Sequence, residues 1–314
     1  MNASQHEIPN GIPYRVVDAF AWEPYTGNPA GVVLDASGLS DAHMQQIARE
    51  INAGATCFVL PPDRPDAAVR FRWFSRSKEL RLCGHATIGA AHALLECGRY
   101  EDVLRPPDGV LAVSSPSGIV NVRTEYHNHA SVKRLYSFDA PDASVQRWPH
   151  PPEQFIEHLG ATAADLDARL PLALTPERDL IVAFSDLFRL LDLRPDMQKL
   201  AAFCTGQRLR GVLCTTTQTL APSIACQSRF FAPAVGIDED PVSGSVHGPL
   251  AVHLIQSGVI ALTDGRALIE CAQGEAAGRA GVLRVAVLQA EARFRARVGG
   301  ACVTTAAGTL TRPK

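Results

Sequence analysis

Two short segments centred on glycine carry the residue types that could do chemistry in this chain. Residues 83–85 read Cys-Gly-His, and residues 243–245 read Ser-Gly-Ser. Each segment leads into an apolar run, so each glycine is predicted to lie where a loop enters a helix N-terminus. Unpaired backbone N–H groups and the positive end of the helix dipole favour an anion at such a place. The sequence therefore predicts two turns that could hold a substrate carboxylate without Lys or Arg.

The thiol of Cys83 is the first candidate for a catalytic base. A helix N-terminus favours the thiolate, and a thiolate can take a proton from a carbon atom beside a carbonyl or carboxylate. The alternative is that Cys83, which follows Leu80 and Leu82, is an apolar core residue, because free cysteine is among the most buried residue types. His85 could donate to a substrate or transfer protons, or it could cap its own helix.

The second segment offers oxygen groups instead of a thiol. Asp240 could act as an acid, as an acceptor for a substrate amine or hydroxyl, or as a carboxylate at the helix entry. Ser243 and Ser245 could cap the helix and also contact substrate, and these two roles are compatible.

Both segments belong to an internal repeat. Residues 83–94 resemble residues 243–254, with Gly84 matching Gly244. A strand-like run ending on an aromatic residue precedes each copy, and an amphipathic helix and a short apolar strand precede that run. The long strands are expected at 69–74 and 224–231, the helices around 44–48 and 197–201, and the short strands at 58–60 and 211–214. The order strand, helix, strand, loop, helix therefore occurs twice.

The first amphipathic helix has clear boundary signals. Ser40 is its candidate N-cap and Gly54 its candidate terminator. The apolar spacing predicts a buried face made of Met44, Ile47, Ala48 and Ile51.

The repeat predicts two similar lobes that face each other across a central cleft. The polar, Pro-rich stretch 127–152 breaks the pattern and is predicted to hold the crossing between them. We expect an N-terminal lobe of residues 1–125, completed by the C-terminal strand near 300–314, and a C-terminal lobe of residues 126–299.

Composition indicates a folded protein that acts on small molecules. Of the 314 residues, 46% are hydrophobic, which is ample for a large core. With 30 Lys and Arg against 32 Asp and Glu, and no block of like charge, neither nucleic acid nor a membrane is an expected partner. No apolar run is long enough to cross a bilayer, and residues 1–9 lack the features of a signal peptide, so we expect a cytoplasmic protein.

No metal or organic cofactor is expected. The eight cysteines form no CxxC pair and are scattered through apolar stretches, as reduced core thiols are. The only short cluster of metal-ligating residues is His127 and His129, and a His-x-His pair without a third nearby ligand is common on exposed loops.

The motifs of the chain resemble those of the PhzF-like proteins of phenazine biosynthesis, in the order of that family and over nearly the whole length. The matching segments are 15–20, 25–33, 79–89, 236–245, 273–274 and 278–279. The resemblance implies an α/β fold of the diaminopimelate-epimerase type, with two pseudo-symmetric lobes that each wrap a curved mixed sheet around a central helix. It also implies a cofactor-independent isomerase that acts on a small carboxylic acid, usually as a homodimer.

One position departs from the family pattern. Members that isomerise a dihydro-hydroxyanthranilate use a glutamate as proton shuttle, and that glutamate's position is occupied here by Ala55. Residues 83–89 are similar to the first catalytic-cysteine motif of proline racemases and hydroxyproline dehydratases, which share this fold. Cys83 then becomes the leading base, and Ser243 lies where two-cysteine racemases carry their second thiol. Cys57 is a weaker alternative base, because strand alternation could place it on the same side as Ala55.

Three functions follow as hypotheses. The first is a proton shift or tautomerisation on a small carboxylic acid, with Cys83, His85, Asp240 and Ser243 as catalytic residues. The second is an amino-acid racemase, epimerase or hydroxyproline-type dehydratase that uses Cys83 and Ser243. The third is a family member that has lost catalysis and binds a metabolite or a protein partner. Substrate contacts are predicted at Asn28, Gly84, Gly244, Ser245, Ala55 and Cys57.

Overall fold

The fold consists of two units, each with its own sheet and core. In this computed structural model the described residues are 11–105, 109–126, 134–291 and 293–313. Unit 1 comprises Met1–Tyr25, Pro29–Phe138 and Ala301–Lys314, and unit 2 comprises Thr26–Asn28 and Asp139–Gly300.

Unit 1 contains the first copy of the repeat. Its strands are β1 (Ile12–Ala19), β2 (Asn28–Val33, with Asn28 itself in unit 2), β3 (Ala55–Leu60), β4 (Val69–Phe74), β5 (Glu79–Leu80), β6 (Val110–Ser115), β7 (Gly118–Tyr126) and β8 (Arg134–Asp139), and its helices are α1 (Asp41–Ile51) and α2 (Gly84–Glu96).

Unit 2 contains the second copy. Its strands are β9 (Gln146–Arg147), β10 (Ala173–Leu174), β11 (Asp179–Ala183), β12 (Gly211–Thr216), β13 (Ile224–Ala232), β14 (Ile237–Asp240), β15 (Arg266–Gln273), β16 (Gly281–Ala290) and the first part of β17 (Arg293–Leu310), and its helices are α3 (Leu187–Leu191), α4 (Met197–Gln207) and α5 (Gly244–Gln256).

Strand pairing follows the same sequence of directions in both units. In unit 1, β2 and β3 are parallel, β3 and β4 antiparallel, β4 and β6 parallel, and β6, β7 and β8 antiparallel. In unit 2, β11 and β12 are parallel, β12 and β13 antiparallel, β13 and β15 parallel, and β15, β16 and β17 antiparallel. The helices α2 and α5 follow equivalent short strands. The internal repeat predicted from sequence is thus confirmed as a repeat of topology.

The main division of the chain falls between Phe138 and Asp139, later than the boundary expected at 125/126. The reason is that β8 continues the antiparallel ladder of β6 and β7 and so belongs to unit 1. The end of β17 pairs antiparallel with β1, from Cys302 opposite Ala19 to Leu310 opposite Ile12.

The central helices α2 and α5 are buried on nearly every side. Each has 13 residues, of which ten are buried. A helix that is apolar all round, rather than along one stripe, is typical of a position inside a core. In unit 1, α2 contacts β1, β3 and β7. The sheet of each unit therefore covers one helix, as the fold class predicted.

The outer helix α1 is amphipathic and lies on the other face of the first sheet. Ser40 is its N-cap and accepts a hydrogen bond from the backbone N–H of His43 (3.2 Å). Met44, Ile47 and Ala48 pack with residues of β1, β2, β3 and β4, as predicted. The prediction of Gly54 as terminator is wrong, because Asn52 ends the helix in the left-handed conformation (φ 55°).

The cysteines are reduced and mostly internal. All eight are free, and six of them are buried, while Cys97 is exposed and Cys302 is half-buried. In the part of the chain that the structure describes, no helix is long and apolar enough to span a membrane.

The start of α2 tolerates no side chain larger than hydrogen. A Cβ atom added at Gly84 would lie 2.5 Å from a ring carbon of Phe138, which is itself buried. We therefore expect Gly84→Ala to lower the free energy of unfolding by roughly 1–3 kcal/mol through overpacking.

The matched control is Gly206→Ala in α4, where an added Cβ has nothing within 4 Å. It should stabilise the protein by about 0.5–1 kcal/mol, because alanine has the higher helix propensity. Urea denaturation of both variants measures the difference. Equal changes in the free energy of unfolding of the two variants would contradict the packing argument.

Candidate active site

Cys83 lies at the N-cap of α2 in unit 1. Its backbone is extended (φ −145°, ψ 103°), and its carbonyl accepts hydrogen bonds from the N–H (3.0 Å) and the hydroxyl (2.7 Å) of Thr87. Its Sγ atom lies 3.5 Å from Nδ1 and 3.8 Å from Nε2 of His85. A thiol beside an imidazole at a helix N-terminus is in a setting that favours the thiolate. The residue is buried, with 8% of its surface exposed, and is less fully enclosed than Cys57 at 0%.

Ala55 and Cys57 share one face of β3. Phe58 packs against α1 on the other face, so strand alternation places Ala55 and Cys57 on the inner face. Burial raises the pKa of the Cys57 thiol well above its ordinary value, and the neighbouring Cys83 adds to this rise. Cys57 is therefore protonated at neutral pH, and Ala55 has no titratable group.

Asp240 in unit 2 is held by both of its carboxylate oxygens. The amide nitrogen of Asn28 donates to Oδ1 (2.7 Å), and the hydroxyl of Ser243 donates to Oδ2 (2.5 Å). The same Asn28 nitrogen also donates to the carbonyl of Val242 (2.9 Å). Because both partners are acceptors, the orientation of this buried amide is fixed. The carboxylate of Asp240 thus has a defined position at the end of β14.

Ser243 occupies the N-cap of α5, but its hydroxyl bonds Asp240 rather than the helix backbone. Its N–H donates to Oε1 of Gln273 (3.0 Å), whose amide nitrogen donates to the carbonyl of Asp240 (2.6 Å). Ser243 thus takes the N-cap position that the sequence allowed, but its side chain does not cap the helix. The hydroxyl is instead part of an acid–hydroxyl pair.

The matching motif 273–279 explains how Asn28 reaches unit 2. Arg279 donates through Nε to the carbonyl of Gly27 and through Nη2 to the carbonyl of Thr26 (both 2.9 Å). Gly274 has φ +102°, and a Cβ there would lie 2.2 Å from the carbonyl oxygen of Arg279. Glycine at 274 lets the turn close, and the turn presents Arg279 to the segment that carries Asn28.

Strand β14, which carries Asp240, is anchored by a buried ion pair. Arg229 donates through Nε (2.9 Å) and Nη2 (2.8 Å) to the carboxylate of Glu239. Its Nη1 donates to the carbonyls of Leu190, Leu191 and Leu193, at and beyond the end of α3. This arginine therefore pairs with the carbonyls at the C-terminal end of α3, which lack partners within the helix, and it holds Glu239, the neighbour of Asp240, in place.

Ser245 contacts a charged residue that the sequence analysis missed. Arg210 donates through Nη2 to Oγ of Ser245 (3.1 Å), and it forms a bidentate pair with Asp179 (2.7 and 2.5 Å). The second turn therefore has an arginine beside it, although a helix N-terminus can hold an anion without one. The available signal was an aspartate at the start of the apolar run 179–183, since a buried carboxylate requires a partner.

The candidate residues thus form two groups. Ala55, Cys57, Cys83, Gly84 and His85 belong to unit 1, and Asn28, Asp240, Ser243, Gly244 and Ser245 belong to unit 2.

Metal ligands are not clustered in the described parts of the chain. Among these residues, no group of three or more His, Cys, Asp or Glu side chains could hold a metal ion. His127 and His129 lie outside the described residues.

Comparison with known proteins identifies the family. The model of the family described as phenazine biosynthesis-like protein (PhzC-PhzF) matches residues 17–308. An uncharacterized isomerase of Clostridium acetobutylicum is 30% identical over 280 residues, which is 86% of this chain and 88% of that relative. The trans-2,3-dihydro-3-hydroxyanthranilate isomerase of Pseudomonas chlororaphis is 32% identical over 310 residues, 95% of this chain and 98% of that enzyme.

The fold agrees with a solved structure of the same family. The PhzF-family phenazine biosynthesis protein of Bacillus anthracis superposes with a TM-score of 0.84 at 24% identity, covering 96% of this chain and 99% of that one. Two topologically equivalent units, each with a mixed sheet around a buried helix, define the diaminopimelate-epimerase-like fold class. The chain belongs to the phenazine biosynthesis-like protein family.

The different surroundings of the cysteines predict different reactivity. With iodoacetamide at about pH 7.5, Cys83 and the exposed Cys97 should be alkylated, whereas Cys57, which is 0% exposed, should not react because its thiol stays protonated. Peptide mass spectrometry after a short exposure to iodoacetamide identifies the alkylated cysteines. Alkylation of Cys57 as fast as that of Cys83 would contradict this assignment.

His247 makes stability depend on pH. Burial lowers its pKa to about 4, and its Nδ1–H donates to the carbonyl of Ser243 (2.8 Å), which opposes the fall. An unfolded histidine binds its proton near pH 6.5, so between about pH 6.5 and 4 the unfolded state binds more protons. The free energy of unfolding should therefore decrease as pH falls through this range, on the order of 3 kcal/mol from this residue.

The test compares the unaltered protein with His247→Gln by urea unfolding at a series of pH values. The variant should lose this part of the pH dependence. Burial also lowers the pKa values of His92 and His253. Both residues are present in both proteins, so their contributions to the pH dependence cancel in the comparison. If the free energy of unfolding depended on pH in the same way in both proteins, His247 would not be buried in the neutral form.

Proposed function

We propose that this protein is an isomerase that moves a proton between carbon atoms of a small carboxylic acid, without metal or organic cofactor. Cys83 is the base, and the observation that carries this assignment is its Sγ atom at the N-cap of α2, 3.5 Å from His85 Nδ1. The family and its relatives, which are named isomerases, support the reaction class. We further propose that it acts in the cytoplasm and as a homodimer, as the family resemblance implies.

The proposed reaction begins with removal of a proton from a carbon next to the substrate carboxylate or carbonyl. The Cys83 thiolate forms the new S–H bond, and the electrons of the broken C–H bond move onto the neighbouring carbonyl group or conjugated double bond. Return of the proton to another carbon shifts the double bond and regenerates the thiolate. Thiolate and carbon acid exchange one proton, so no oxidant or reductant is needed.

In this proposal Cys83 takes over the role of the family glutamate. The family resemblance places Ala55 at the position of that glutamate, and Ala55 lies on the same face of β3 as Cys57. His85 contacts the sulfur and can stabilise the thiolate or carry its proton. Asn28, Asp240 and Ser245 contribute polar contacts to substrate, with Asp240 accepting a substrate amine or hydroxyl.

A second candidate function is racemisation, epimerisation or dehydration. The 2.5 Å hydrogen bond from Ser243 to Asp240 favours it, because a hydroxyl paired with a carboxylate can serve as a second acid–base group. In this second candidate function Cys83 removes the α-proton, and Ser243 either returns a proton or helps a hydroxyl leave.

The test is exchange of carbon-bound hydrogen for deuterium, followed by NMR in heavy water. Suitable acids are trans-2,3-dihydro-3-hydroxyanthranilate, L-proline, trans-4-hydroxy-L-proline and L-lactate. We expect exchange in at least one cyclic acid, with a loss of roughly 10²–10⁴-fold in Cys83→Ser. Cys97→Ser is the matched control, because Cys97 immediately follows the other end of the same helix, and it should retain full exchange.

The outcomes separate the candidate functions. Exchange with retained configuration and a moved double bond supports the isomerase, and loss of optical activity supports the racemase. Exchange that is indifferent to Cys83 would remove Cys83 as base. Absence of exchange with every acid would overturn both and leave a protein that binds a metabolite without turning it over.

A further inference from the structure

A charged pair in unit 2 occupies the place where unit 1 has only small residues. In the parallel pair β2 and β3 of unit 1, Ala30 lies opposite Ala55. In the equivalent pair β11 and β12 of unit 2, Asp179 lies opposite Gly211, and Arg210 precedes Gly211 in the chain. The position of the family glutamate, Ala55, thus has its counterpart in unit 2 beside an arginine and an aspartate.

The guanidinium of Arg210 is held rigidly by its neighbours. Asp179 is 0% exposed and accepts two of its N–H groups at 2.7 and 2.5 Å. Thr175 fixes this carboxylate in turn, donating its hydroxyl to Oδ2 at 3.2 Å. The guanidinium carbon lies 5.6 Å from the ring centroid of Phe230. A planar cation held by a bidentate partner and an aromatic face has little freedom to turn.

Part of the same side chain remains accessible at the start of α5. The Arg210 side chain is 31% exposed, and Ser245, the second residue of α5, is half-buried. Among the described residues, Nη1 of Arg210 has no hydrogen-bond partner. The arginine therefore connects a buried carboxylate to a surface that a small molecule can reach.

The direction of the hydrogen bond between Arg210 and Ser245 decides which hydrogen-bonding role the serine hydroxyl has left for a substrate. Arg210 donates an N–H to Oγ of Ser245 (3.1 Å), so this oxygen acts as an acceptor toward the arginine. The serine's own O–H must point elsewhere, and in the described part of the chain it has no acceptor. Donation from a cation also polarises the hydroxyl and strengthens it as a donor.

We propose that Arg210 is a positioning residue that directs the Ser245 hydroxyl toward a carboxylate oxygen of the substrate. Asp179 holds Arg210 in place, and the exposed N–H groups of Arg210 add positive potential beside the bound carboxylate. Unit 2 thereby recognises the acid group of the substrate. This inference rests on the proposed function and names the group by which the substrate is recognised.

Calorimetric titration with an acid and its amide tests the proposal. The probe is the acid that shows exchange in the deuterium experiment, or anthranilate if none does, and the comparison ligand is the corresponding carboxamide. Ser245→Ala and Arg210→Met should each weaken binding of the acid about tenfold, the loss of one charge-assisted hydrogen bond. Binding of the amide should change little.

Non-additivity distinguishes positioning from an independent contact. In Ser245→Ala/Arg210→Met the loss should stay near that of the single variants, because both changes remove one shared interaction. Arg210→Lys should restore only part of the affinity, since an ammonium cannot make the bidentate pair and reach Ser245 as well. With an exchanging acid, KM should rise while kcat changes much less.

Two further variants distinguish a specific loss of acid binding from a general loss of the fold. Asp179→Leu/Arg210→Met removes both charges together, which avoids an unpaired buried carboxylate, and should bind acid as weakly as Arg210→Met. The matched control is Arg169→Met, which breaks a similar bidentate pair with Asp167 (3.0 and 2.6 Å) that also reaches a hydroxyl, Thr217 Oγ1. It should leave acid binding unchanged.

Failure of this inference can be told apart from failure of the proposed function. Exchange with unchanged acid affinity in Arg210→Met would overturn the role of Arg210 alone. Arginine-dependent binding of anthranilate without exchange of any acid would support it while removing the isomerase. Equal weakening of acid and amide, or no binding by the unaltered protein below about 10 mM, would overturn it.

Discussion

Each unit buries one apolar helix on nearly all sides, and the surroundings of Cys83 and Ser243 depend on that burial. Inside a core, the N–H and C=O groups along a helix are satisfied by the helix itself, but those at its ends are not. The helix must therefore end where polar partners or solvent are available. In α2 and α5 that end is the N-terminus that follows Cys83 and Ser243. Hydrophobic packing thus places a thiol and a hydroxyl in polar, positively polarised surroundings.

The same topology carries different chemistry in the two units. In unit 1, Ala30 lies opposite Ala55 in the parallel strand pair, and the Sγ atom of Cys83 at the start of α2 lies 3.5 Å from Nδ1 of His85. Unit 2 surrounds its helix end with carboxylates and an arginine. The two helix starts therefore carry different chemical groups on the same topology, a thiol beside an imidazole in unit 1 and fixed charges beside serine hydroxyls in unit 2.

The polar groups of unit 2 are held in place by a chain of satisfied hydrogen bonds. Asn28 and Ser243 each occupy one oxygen of Asp240, Gln273 links Ser243 to the backbone of Asp240, and Arg279 anchors the turn before Asn28. Leaving any of these buried groups unpaired would cost about 1–3 kcal/mol. The family motifs at 25–33, 236–245 and 273–279 therefore stabilise one shared network, which explains why they occur together.

The sequence by itself determined the repeat, the helix and strand periods and the residues that stand at the two helix starts, because these depend on local spacing and composition. Only the tertiary structure decided that Asn28 meets Asp240, that Ser243 bonds a carboxylate instead of capping its helix, and that Arg210 connects Asp179 to Ser245. Those partners are far apart in the chain or depend on which way a side chain turns. Their pairing is set by the long-range need to satisfy buried polar groups, which leaves no periodic trace in the sequence.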